Sequence, residues 1–134
     1  MTVLVTDRGF GPVPAVEAVP LAEIASHKGA VDLIQTDDPE ALAPYLAELT
    51  LIRVGFPAFN DGRAFTIARR LRMLGYAGEL RALGPVIADQ YAMARRVGFD
   101  SVEIPDELAA RQPEEQWIFR ADWQAHDYQS RLRA

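Results

Sequence analysis

The sequence predicts an α/β protein of about four βα units around a mainly parallel sheet, half-barrel-like in form. Three observations carry that expectation. Short apolar runs alternate with helical patterns along residues 30–112, the signature of parallel strands joined by right-handed crossovers. The second and third units echo each other: Leu74-Gly75-Tyr76 precedes one strand as Val97-Gly98-Phe99 precedes the next, behind the pairs Arg69-Arg70 and Arg95-Arg96. Each strand, finally, carries one charge within an apolar pattern. With 134 residues the chain is expected to form one domain, its core at 30–112 and extensions at 1–29 and 113–134.

The elements follow in order. Ala30–Gln35 reads as the first strand, and Asp37-Asp38-Pro39-Glu40 opens a helix with acidic caps and an early proline. Leu42, Tyr45, Leu46 and Leu49 share one face of it, and Pro44 should kink or restart it. Leu51–Phe56 is the second strand. Gly62–Leu74 is the second helix, with Ala64, Ile67, Ala68, Leu71 and Leu74 as its apolar stripe and Gly75 as its stop. Glu79–Leu83, the helix Pro85–Val97 stopped by Gly98, Ser101–Ile104 and the short helix Pro105–Arg111 complete the units. At the ends, Val3–Thr6 suits an extra strand, Phe10 to Pro20 a Pro/Gly-rich connection, and Glu114–Trp123 a helix. Ala125–Ala134 is a polar tail, to be read either as flexible or as partner-bound.

Alternation places Val31, Leu33, Ile52, Val54, Leu80, Ala82, Val102 and Ile104 on one sheet face and Asp32, Arg53, Arg81 and Glu103 on the other. A parallel sheet covered on both sides is apolar on both, and an unpaired buried charge is costly. The charges therefore suit the inner face of a half-barrel better than the alternative, a flavodoxin-like sheet. They call for cover by the tail, the N-terminal segment or a second copy, so a homodimer is one expected partner. The plainer alternative is a sheet with one wet face.

Composition narrows the chemistry. A net charge of −5 argues against nucleic acid as partner. The absence of cysteine removes disulfides, iron–sulfur ligation, zinc thiolates and thiol nucleophiles, so redox chemistry would need a bound organic cofactor. No basic, apolar leader and no membrane-length apolar run is present, so a cytoplasmic location without a membrane partner is expected. His27 and His126 lack a second ligand at metal spacing. Gly9-Phe10-Gly11 lacks the third glycine of a dinucleotide fingerprint, and no serine sits at a nucleophile elbow.

Parallel α/β proteins work at the C-terminal ends of their strands. The loops expected there are Thr36–Asp38, Pro57–Arg63, Gly84–Val86 and Pro105–Glu107. In the second, Asp61 suits a helix cap, Gly62 close backbone approach, and Arg63 an anion at a helix start, with Phe59 and Phe65 as walls. Gly84 turns the third loop. Asp89 and Gln90 follow just inside the next helix, where only one of two neighbours can face the crevice with Arg63. The candidate ligand-binding set is Phe59, Asp61, Gly62, Arg63, Gly84, Asp89 and Gln90; no metal site is expected. Arg69, Arg70 and Arg72 read as a solvated face, with a docking surface as second choice; Trp117, Phe119 and Trp123 read as core, with a partner site as the alternative where they are exposed.

Several short blocks, taken in order, resemble a known family. They are Phe59-x-Asp61-Gly62-Arg63, Ile67-Ala68-x-x-Leu71-Arg72, Gly78-Glu79-Leu80-Arg81-Ala82-x-Gly84-x-Val86, Asp89-Gln90 and Gly98-Phe99-Asp100. The family is the bacterial domain of unknown function 934, whose genes typically neighbour those of assimilatory sulfite reductase. The resemblance spans Ala30 to Ile104, with Ala64, Phe65 and Thr66 replacing the Gly, Tyr and Ser often found there. It implies a role in sulfite reduction and carries over no catalytic residue. The leading expectation is an accessory protein that binds sulfite reductase or a sulfonucleotide reductase, with a small oxyanion at Arg63. The alternative is an oxidoreductase with a loosely bound flavin or nicotinamide.

Overall fold

The computed structural model describes residues 2–14, 16–26, 29–58 and 62–121. Their strands are β1 (Thr2–Thr6), β2 (Gly9–Gly11), β3 (Val19–Pro20), β4 (Ala30–Leu33), β5 (Leu51–Gly55), β6 (Glu79–Leu83) and β7 (Ser101–Pro105). They form one sheet in the order β2-β1-β7-β6-β5-β4-β3. From β3 to β7 all neighbours are parallel and follow chain order without reversal. A flavodoxin-like sheet requires a reversal, so the half-barrel order is the one observed. The expected extra strand is β1, antiparallel to β7 with Val3 opposite Ile104 and Val5 opposite Val102.

Both sheet edges are closed by local chemistry. The backbone N–H of Phe10 in β2 donates to Glu114 Oε2 at 2.7 Å. At the other edge β3 is two residues long and ends in Pro20, which has no N–H to offer a further strand.

The helices are α1 (Arg63–Met73), α2 (Tyr91–Val97), α3 (Asp106–Arg111) and α4 (Glu114–Phe119). Residues Pro39–Glu48, expected as a helix, wind as a 3₁₀ helix. Pro44 cannot donate the hydrogen bond an α-helix needs there and crowds the preceding turn. The segment expected to start a helix at Pro85 stays extended through Ile87 and makes a 3₁₀ turn, Ala88–Gln90, before α2. Val86, fully buried, plugs the core in that stretch.

The apolar sheet face packs under α1, which buries Ala64, Phe65, Ile67, Ala68 and Leu71. Phe65 is core rather than a pocket wall: its ring lies 5.0 Å from Phe56 and 6.4 Å from Phe99. Trp117 is buried against Tyr91 at 6.0 Å, whereas Phe119 is 76% exposed. Trp123 lies outside the described residues.

The charged face pairs within itself. Arg53 grips Asp32 with Nε at 2.6 Å and Nη2 at 2.8 Å, and its Nη1 reaches Glu103 at 3.4 Å. Arg81, 2% exposed, places Nη1 3.3 Å from the same carboxylate and Nη2 2.8 Å from Glu79. Thr2 of β1 donates Oγ1 to the second Glu103 oxygen at 2.9 Å. The hydrogen bond to Asp32 raises the pKa of Arg53 against the opposing effect of burial. The layer of charge is thus satisfied inside one chain.

The sequence echo also acquires a physical meaning. α1 and α2 end in the same motif, with Tyr76 N–H to Leu71 O and Gly75 N–H to Arg72 O in one, Phe99 N–H to Ala94 O and Gly98 N–H to Arg95 O in the other. These are Schellman caps, which require the positive φ of Gly75 and Gly98. The equivalent arginines are Arg72 and Arg95, each donating Nη1 to the carbonyl of the aromatic residue four positions on. Arg72, expected to be solvated, also donates to Gly78 O at 2.9 Å, twice to Gly98 O and to Asp100 at 2.8 Å.

Candidate ligand-binding site

The C-terminal strand ends are held by glycine chemistry. Gly84 has φ +131°, and a Cβ there would sit 2.4 Å from Phe56 O, so no side chain fits. Its N–H donates to Glu103 O at 3.0 Å while Phe56 N–H donates to Leu83 O at 2.8 Å. β5, β6 and β7 are thereby fastened together where parallel sheets take ligands.

Of the expected site residues, Phe59 and Asp61 lie outside the described residues. Gly62 and Arg63 are exposed at the start of α1. A Cβ on Gly62 would meet open space, and its φ of −77° is available to any residue. Asp89 pairs with Arg120 at 3.1 Å and lines a cleft of about 340 Å³ with Glu115, Gln116, Phe119 and Arg120. Gln90 is half-buried, and its Oε1 accepts the Ile87 N–H at 3.3 Å. That bond caps its own turn.

Sequence reasoning missed a second cleft at the strand ends, of about 370 Å³, lined by Pro85, Ile87, Leu108, Arg111 and Gln112. It lies beyond β6 and β7. Among the described residues the Arg111 side chain has no hydrogen bond or ion pair. Gln112 Oε1 accepts the Ala88 N–H at 2.7 Å, and its carbonyl accepts Trp117 Nε1 at 3.0 Å. The available signal was Pro113, which halts α3 and leaves Arg111-Gln112 at its end.

Two tyrosines are perturbed by burial, neither at these clefts. Tyr76, whose hydroxyl donates to Glu79 O, is pushed up to about 12 by burial. Burial and the hydrogen bond to Asp7 push Tyr91 further in the same direction. Among the described residues no cluster of three His, Asp or Glu side chains is placed for a metal ion, and no helix is long and apolar enough to cross a membrane.

The sequence profile of a bacterial family, described as "Bacterial protein of unknown function (DUF934)", matches residues 30–134. The chain belongs to that family. The DUF934 match takes in the parallel strands from β4 to β7 and both strand-end clefts, while β1, β2 and β3 precede it. No curated protein and no solved structure matches the chain.

Proposed function

We propose that the protein is a non-redox accessory factor of assimilatory sulfite reduction, binding a pathway reductase and holding a small oxyanion at Arg63. One observation carries the reading: Arg63 stands exposed as the first residue of α1, the helix that follows β5 in the chain. Backbone N–H groups without intrahelical partners and the helix dipole favour an anion there, and a guanidinium matches oxyanion geometry. The chain's lack of cysteine supports a role without thiol or cluster chemistry of its own. The place in sulfite reduction rests on the family resemblance and the gene neighbourhood that it implies.

Deleting the gene in the native host and comparing growth on sulfate, sulfite and sulfide tests this. Rescue by sulfide alone is expected; rescue already by sulfite would move the role upstream, and normal growth on sulfate would contradict it. Purified protein should also co-elute with the reductase at micromolar concentrations. A yellow chromophore on the isolated protein, or nucleotide binding lost in Arg63→Ala, would replace this reading with a flavin or nicotinamide oxidoreductase.

A further inference from the structure

We infer that the cleft between Pro85, Ile87, Leu108, Arg111 and Gln112 binds a small organic monoanion, a carboxylate or sulfonate carried on an apolar body. This does not rest on the sulfur-pathway reading, and it involves none of the residues at the start of α1.

The lining sets the ligand class. Pro85, Ile87 and Leu108 make an apolar wall, and the volume of about 370 Å³ falls within the range of small-molecule sites. The polar side chains that line it offer donors. Arg111 brings a guanidinium with no partner among the described residues. Gln112 has its amide oxygen committed to Ala88, which leaves the NH₂ end. Among the described residues no carboxylate lines the cleft. A neutral ligand would leave the guanidinium without a counter-charge, and a bare inorganic oxyanion would leave the apolar wall wet. A molecule with one charged end and one apolar end satisfies both parts.

The rim is built before any ligand arrives. Gly84 fixes the turn into Pro85, the Gln112–Ala88 bond ties α3 to the 3₁₀ turn, and Trp117 Nε1 holds the Gln112 carbonyl. A preformed cleft spares the ligand the cost of ordering its walls.

The test titrates benzoate and butane-1-sulfonate into the full chain, followed by methyl NMR at Ile87 and Leu108. Benzyl alcohol and inorganic sulfate serve as comparators. Saturable shifts at both methyls are expected with the two organic anions, the comparators binding about tenfold or more weakly. Arg111→Ala should weaken binding by about tenfold or more. Gln112→Glu keeps an oxygen for the Ala88 N–H while placing a negative charge in the cleft. It should abolish binding with an unchanged thermal midpoint. The inference is overturned if neither anion shifts those methyls, if both variants bind like the parent, or if sulfate or benzyl alcohol binds equally well.

Discussion

At the N-terminal ends of β6 and β7, Arg72 is fully engaged: it gathers the carbonyls of Tyr76, Gly78 and Gly98 and the carboxylate of Asp100. At the C-terminal ends of the same strands, Arg111 lines a cleft and has no partner among the described residues. The residue type is the same; what differs is the supply of acceptors. Below the sheet, two Schellman caps and the turns after them leave carbonyls for an arginine to collect. Above it, Gln112 accepts the Ala88 N–H, and Gly84 bonds to Glu103 and Val86, so the arginine keeps its donors. The charges of the charged sheet face follow the lower pattern, since Asp32, Arg53, Arg81, Glu103 and Glu79 complete each other. Structure consumes charge on one side, and the other side has charge to offer a ligand.

The largest effect that would sharpen this contrast is expected in the charged layer of the sheet. Glu103→Leu removes the carboxylate shared by Arg53 and the buried Arg81, and should cost about 3–5 kcal/mol in urea unfolding. A loss under about 1 kcal/mol would mean that the layer is dispensable. Next comes the lower clamp. Arg72→Ala strands several carbonyls and should cost about 2–3 kcal/mol, with little recovered by Arg72→Lys because an ammonium cannot span the fork. Gly84→Ala, which combines left-handed strain with a clash on Phe56 O, should cost about 1–3 kcal/mol.

The pH dependence is a finer probe. Tyr76 has its folded pKa raised from 10.0 to about 12, so the folded state keeps that proton where the unfolded chain loses it. Stability from this group is complete below pH 10 and is lost as pH rises towards 12. Tyr76→Phe should flatten that part of the stability–pH curve; an unchanged slope would place its cause elsewhere. The smallest effect is expected on the outer surface. Arg70 pairs with Glu40 in solvent, and Arg70→Ala should leave the unfolding midpoint where it was.

The parts of this architecture that depend on local period were legible in the sequence. Alternation along Ala30–Leu33, Leu51–Gly55, Glu79–Leu83 and Ser101–Pro105 separates the charged face from the apolar one, as observed. What the charges do with one another was not legible. Arg53 meets Glu103 across 50 positions, and Arg72 meets Gly98 O across 26, pairings that exist only once the sheet order is set. The echo was visible but read at Arg69-Arg70, because sequence alone does not show which arginine occupies the capping turn. Pro44 announced a disturbance in its helix, yet not that all of Pro39–Glu48 would become 3₁₀. Arg111 and Gln112 escaped notice because α3 has only six residues, too few for a period to assign a face.

The proposed role of Arg63 is tested most directly by complementing the deletion strain on sulfate as sole sulfur source. One allele carries Arg63→Glu, at the strand-end side of α1; another carries Arg70→Ala, farther along the same helix. The account predicts that the Arg70→Ala allele restores growth and the Arg63→Glu allele does not, with both proteins folded and present at parental levels. Full growth from Arg63→Glu would contradict it.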